Sequence, residues 1–193
     1  MSFIVLNGEI LEKENARVPV DDRGILLGDG VFETMRSYGR KIFKYEDHVE
    51  RLLRACRALD ITPPFSRQEL ASMIDGLFDK NGLEDARVRV TVTRGKHTGT
   101  LFPYTTLFRS GSMALSGSEN STLIITAEQL PASLLEAAEP QISLAGCDVY
   151  FTNDNPIYKH KTTNRLPHLY ARSQAESKGA DEAYILDHMG NVA

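Results

Sequence analysis

The sequence is sparing with cysteine, with charge of one sign and with long apolar runs, and each shortage narrows the range of functions. Only Cys56 and Cys147 occur in 193 residues. They lie too far apart for metal-ligand spacing and are too few for a disulfide framework, so a reducing, cytoplasmic setting is expected. The 26 acidic and 22 basic residues leave a net charge of −4. No overall basic field therefore draws the chain to nucleic acid or to an anionic membrane. No segment has the length and apolarity to span a bilayer. There is no HExxH, no GxSxG elbow and no metal spacing among His48, His97, His160, His168 and His188, so metal and serine-hydrolase chemistry are not expected. Fixed-period repeats and low-complexity tails are also missing.

What is present is ordinary globular material, 41% hydrophobic and 25% charged, enough for one large or two small domains. Asn7-Gly8 between Phe3–Leu6 and Glu9–Leu11 predicts a hairpin, because that pair adopts positive φ at both centres of a type I′ turn. Gly39-Arg40 between Val31–Tyr38 and Lys41–Phe43 predicts a second strand pair. Val49, Leu52, Leu53, Cys56 and Leu59 recur at intervals of three and four, which predicts an amphipathic helix over Glu46–Leu59. After Pro63-Pro64, Ser66 and Glu69 form a capping box for a second helix that ends at Asn81-Gly82. Arg87–Thr93 alternates like a strand with one buried face. Thr122–Thr126, Gln141–Leu144 and Ala183–Leu186 are further strand-like runs, and Asn164–Ser177 reads as a helix with Pro167 in its first turn. The expected fold class is α+β.

Two stretches break this pattern. Thr100–Ser110 places Leu101, Phe102, Tyr104, Leu107 and Phe108 ahead of a polar loop, Gly111–Ser121, without helical or strand periodicity, and it resembles a translated sequencing adapter. A natural loop with aromatic residues for substrate contact is the alternative. At the other end, the strand Ala183–Leu186 runs into the turn-rich Asp187–Asn191, and a return strand is expected to begin at Val192. A truncated chain is the expectation there, since an unmatched strand leaves backbone groups unpaired.

Three clusters could carry chemistry. From Asp22 to Glu33 the chain sets Gly24, Gly28 and Gly30 among charged residues just before a strand, which suits either a phosphate cradle or a tight loop. Neither a P-loop nor a dinucleotide fingerprint fits the spacing. His48 and Arg51 share a helix face. Arg51 could grip a phosphate or carboxylate through a bidentate fork, or pair on the surface with Glu46, Asp47 or Glu50. The third cluster is Lys159-His160-Lys161 ahead of a helix start. A lysine beside other cations gives up its proton more readily and can form a Schiff base as a neutral amine; an exposed basic loop is the alternative.

Asp22-Arg23-Gly24 through Gly28-Asp29-Gly30-Val31-Phe32-Glu33, then His48-Val49-Glu50-Arg51-Leu52, then Lys161-Thr162-Thr163-Asn164 resemble, in order and separation, the class IV (fold-type IV) pyridoxal-phosphate enzymes. These include branched-chain aminotransferases, D-amino-acid transaminase and 4-amino-4-deoxychorismate lyase. The resemblance covers Met1 to about Gly99 and about Ser121 to Ala193. It implies a two-domain homodimer, with a small N-terminal α/β domain over residues 1–118 and the start of a larger, barrel-like C-terminal domain over 119–193. The cofactor lies between the two.

By the same resemblance Lys161 matches the Schiff-base lysine and Arg51 the arginine that holds the cofactor phosphate. Phe32 and Glu33 fall near the substrate, with no hydroxyl at Phe32 where D-amino-acid transaminase has tyrosine. The arginine and histidine that trap the substrate carboxylate in that enzyme have no match after Arg94-Gly95. The family's glutamate for the pyridine nitrogen belongs just beyond Ala193. The implied activity is amino-group transfer between an amino acid, branched-chain among the candidates, and a 2-oxo acid, and Glu33 looks like the transaminases. Asn164-Arg165-Leu166 looks instead like the lyase, which releases pyruvate and 4-aminobenzoate. A non-catalytic ligand-binding domain is the alternative of another class.

Overall fold

The computed structural model describes residues 1–96, 120–131, 142–152 and 154–193. Thr100–Ser110 and most of the polar loop after it lie outside the described residues. The chain forms two compact units, Met1–Leu130 and Pro131–Ala193.

In the first unit the turn signals set the hairpins. Strands β1 (Phe3–Leu6) and β2 (Glu9–Glu12) join through Asn7 and Gly8, both at positive φ. Strands β3 (Gly30–Tyr38) and β4 (Lys41–Ile42) join through Gly39 and Arg40, again both at positive φ. Ahead of β3 stands a short helix, α1 (Arg23–Leu27). Helix α2 (Tyr45–Ala58) buries Val49, Leu52 and Cys56 of the predicted stripe together with Ala55, while Leu53 and Leu59 are partly buried against the same core.

Helix α3 (Arg67–Asn81) has the expected capping box between Ser66 and Glu69 and closes on Gly82 in the left-handed region. Ser66→Ala removes one half of that box and is expected to lower stability by about 1 kcal/mol in urea titration. An unchanged midpoint would mean that the first turn of α3 is held by packing alone.

Strands β5 (Ala86–Thr93) and β6 (Thr122–Gln129) complete a six-stranded antiparallel sheet in the order β2-β1-β6-β5-β3-β4. Val88, Val90 and Val92 of β5, with Leu123 and Ile125 of β6, form one core with Leu52, Leu70, Leu77 and Phe78 of the helices. The alternate residues Arg87, Arg89 and Thr91 leave the other face. The two compact units divide at Leu130/Pro131, whereas the expected domain boundary is at 118/119. Strand β6 is interior, paired with β5 from Ala86–Gln129 to Thr93–Thr122 and with β1 on its other edge, so assigning it to the second domain would strip backbone partners from both neighbours.

The second unit is a strand–helix–strand unit. Strand β7 (Leu144–Phe151) runs parallel to β8 (Glu182–Asp187), and helix α4 (Leu166–Ser177) connects them, with Pro167 in its first turn as predicted. Strand β7 begins where the run Gln141–Leu144 was expected to end, because its register is set by β8, Leu144 facing Glu182 and Phe151 facing Asp187. After β8 the Asp187 carboxylate accepts the backbone N–H groups of Met189 and Asn191, Gly190 takes positive φ, and Val192 bridges back to Leu186. The return at Val192 is thus present. Among the described residues no helix is long and apolar enough to cross a membrane.

Candidate active site

The glycine-rich run is consumed by the protein's own structure. Asp22 is fully buried and caps α1 by accepting the Gly24 N–H at 2.7 Å. The same carboxylate accepts the hydroxyls of Thr93 at 2.9 Å and Thr122 at 2.7 Å, which face each other across β5 and β6. A Cβ on Gly24 would lie 2.3 Å from Thr93 Cγ2, so only glycine fits. Asp29 meets both Arg23 and Arg94 at 2.8 Å. Arg94 also donates to the carbonyls of Leu59 and Asp60 at the end of α2. Burial alone would raise the Asp29 carboxyl; the Arg94 and Arg23 hydrogen bonds outweigh it and hold the group below the usual aspartate range. Of the two readings for this run, the geometry favours the tight loop.

One turn further on, β3 points Glu33 toward α2. Its carboxylate is 1% exposed and accepts Arg51 Nε at 2.5 Å and Arg51 Nη2 at 2.7 Å, with His48 Nδ1 at 3.1 Å. Burial pushes the Glu33 carboxyl up, and the hydrogen bonds from Arg51 and His48 override it to leave it lowered. The alternative surface partners of Arg51 are engaged elsewhere: Glu46 and Glu50 with Arg67, Glu50 also with Arg57, and Asp47 with Lys44. Phe32, on the opposite face of β3, is buried beneath the Arg89 guanidinium, 3.7 Å above its ring. The sequence reading placed Glu33 near substrate and overlooked its bond to Arg51. The available signal was a carboxylate alternating with Val31 and Met35 on one face of the strand, which needs a buried partner.

A depressed carboxyl pKa fixes the sign of an acid effect. The Glu33 contribution is complete above the ordinary glutamate value of 4.5 and is lost as pH falls through the lower folded value. Glu33→Gln is therefore expected to flatten the acid side of the stability profile below about pH 4.5; an unaltered profile in acid denaturation would contradict the pairing.

In the second unit Lys161 stands in the loop between β7 and α4, beyond the carboxyl end of β7. Because β8 runs parallel, the Asp187–Asn191 turn lies at that same end, the side of a parallel strand pair where ligands are usually bound. Lys161 is half-buried, whereas Lys159, in the 3-10 turn Pro156–Lys159, is exposed. Phe151 stacks on Tyr158 at 4.1 Å and meets the edge of His168 at 5.0 Å. These rings border a cavity of about 160 Å³ that also takes in Asn155, His160, Thr162 and Arg165. Lys161 is not among its lining residues.

Among the described residues Arg165 has no acceptor for its guanidinium, and burial lowers its pKa. His168 Nδ1 is likewise buried without a partner among them. Burial, then the charges of Arg165 and Lys161, hold that imidazole below its ordinary pKa. A half-buried lysine with neighbouring cations and unmatched donors fits an anionic ligand with an electrophilic carbon. Among the described residues no cluster suited to a metal ion occurs.

An antiparallel α+β unit is thus followed by a parallel strand–helix–strand unit that bears Lys161. The chain belongs to the class IV aminotransferase family, whose model, described as "Amino-transferase class IV", matches residues 30–193. It is 31% identical over 191 residues, 98% of its length, to a protein of Methanocaldococcus jannaschii provisionally named branched-chain-amino-acid aminotransferase. It is 36% identical over 92 residues, 48% of its length and 32% of the relative's, to D-alanine aminotransferase of Listeria monocytogenes. Among solved structures, Escherichia coli branched-chain amino acid aminotransferase superposes with a TM-score of 0.81 at 25% identity, covering 100% of this chain and 62% of that one. The branched-chain amino acid aminotransferase of Thermoproteus uzoniensis, solved with norvaline, gives 0.78 at 24% identity, covering 100% and 62%. The chain spans 61% of the length of the M. jannaschii relative.

Proposed function

We propose that this protein is a pyridoxal 5'-phosphate-dependent transaminase that moves an amino group between an amino acid, branched-chain among the candidates, and a 2-oxo acid. The observation that carries the reading is the half-buried Lys161 in a donor-rich loop at the carboxyl end of a parallel strand pair, in a chain similar to an aminotransferase over nearly its full length. Lys161 would hold the cofactor covalently through its Nζ, and Arg51 would hold the phosphate. When bound, pyridoxal phosphate supplies an electron-withdrawing ring that acidifies the substrate Cα–H.

The chain's own part is to bind and to move a proton. Lys161 Nζ, as a neutral amine, takes the proton from the substrate Cα. Arg165 keeps the neighbourhood positive and favours the carboxylate of an amino acid. The working form is a cytoplasmic homodimer. A second reading, 4-amino-4-deoxychorismate lyase, is favoured by Asn164-Arg165-Leu166, and formation of 4-aminobenzoate, which amino-group transfer does not give, would distinguish it.

The test is addition of pyridoxal 5'-phosphate, borohydride reduction and peptide mapping. The cofactor mass is expected on Lys161. Its appearance on Lys159 would move the assignment by two residues, and no covalent adduct would overturn the enzymatic reading.

A further inference from the structure

We infer that Glu33 is a positioning residue that locks the Arg51 guanidinium in a fixed orientation for an anionic group, with His48 as the second donor that holds Glu33 in place. The inference deepens the reading above, since it takes Arg51 as the contact for the cofactor phosphate.

Arg51 spends one edge, Nε and Nη2, on the two oxygens of Glu33. Bidentate pairing of this kind fixes the plane of the guanidinium. The side chain of Arg51 remains 49% exposed while that of Glu33 is 1% exposed, so the anchor is inside and half of the arginine side chain stays accessible. His48 Nδ1, at 3.1 Å from Glu33 Oε2, supplies another contact to the same carboxylate from the preceding turn of α2. Glu33 therefore has little freedom to swing out.

Stability is a poor reason for this carboxylate. It stands in β3 between Val31 and Met35, where a strand buried on this face would accept an aliphatic side chain, and buried ion pairs are often no more stabilising than a well-packed apolar replacement. What the carboxylate contributes is orientation: an arginine held in advance loses less rotamer freedom when it meets a ligand. Its own negative charge acts the other way, since any anion near Arg51 is repelled by it. The two effects have opposite signs, so removing the charge tells them apart.

The experiment compares the affinity of the full chain for pyridoxal 5'-phosphate with its affinity for pyridoxal, which lacks the phosphate, by equilibrium titration. Glu33→Gln is expected to weaken the phosphorylated ligand about 3- to 10-fold while leaving pyridoxal unchanged, the scale set by immobilising one long side chain. Arg51→Ala is expected to remove the preference for the phosphorylated ligand altogether. If Arg51→Ala removes it and Glu33→Gln leaves it equal or stronger, positioning is overturned and the phosphate reading survives. If Arg51→Ala leaves the preference intact, the phosphate reading fails and this inference with it. Should Glu33→Gln not fold, the unsubstituted protein still decides: the Arg51 Nε–H should give a resolved, exchange-protected nitrogen-15 NMR signal without ligand, and a freely rotating guanidinium would overturn the proposal.

Discussion

Lys161→Ala is expected to lower the transamination rate by about 10²- to 10⁴-fold, the usual contribution of a positioned proton-transfer group, and to abolish the borohydride-stable adduct. On the proposed reading the loss should fall on the turnover number, because the amine would take part in bond-breaking at Cα as well as in holding the cofactor. Lys159→Ala serves as the control. That side chain is exposed at the end of the 3-10 turn and is expected to leave both measurements close to the starting protein. Equal losses in the two variants would point to a general requirement for positive charge in the loop. An unaffected rate in Lys161→Ala would remove the lysine from the chemistry.

The second large effect concerns stability. Arg94→Ala is expected to destabilise the Met1–Leu130 unit by about 3–5 kcal/mol, the range for breaking a buried ion pair by removing one partner. Arg94 is 3% exposed and serves two structures at once. It neutralises Asp29 alongside Arg23, and it donates to the Leu59 and Asp60 carbonyls where α2 ends. Without it, two helix-end carbonyls lose their donor and Asp29 keeps a single cation. Against a typical total of about 5–15 kcal/mol, such a loss is readily measured in a urea titration. Arg94→Lys should recover little, because one ammonium cannot reach a carboxylate and two carbonyls together. A change below about 1 kcal/mol would show that solvent replaces these bonds, contrary to the burial described.

The fate of individual residues shows how far a reading of the chain can reach. Ser66 and Glu69 cap α3 as their spacing predicts, and Asn7-Gly8 and Gly39-Arg40 turn where they should. The family motifs were also legible, since their order along the chain survives without coordinates. The content of the first motif was not. For Asp22, Arg23 and Asp29 a phosphate cradle and a tight loop both stay open until Thr93, Arg94 and Thr122 are brought to them. Glu33 is the sharper case. Adjacent to Phe32 in sequence, it shares no surface with it, because neighbouring residues in a strand leave opposite faces. Its partners lie 15 and 18 residues away, on a helix that packs against only one of those faces.

The amino-acid sequence by itself determined the elements: turn residues, caps and apolar periods of two and 3.6 act within a few positions, where backbone dihedrals and nearest side chains decide the energy. Only the tertiary structure decided what those elements serve. It placed β6 between β1 and β5, joined Asp22 to a hydroxyl 100 residues away, and gave Arg51 a buried anchor. Such pairings depend on which strands and helices meet, and a charge becomes structural or available for a ligand only once its buried partners are in place.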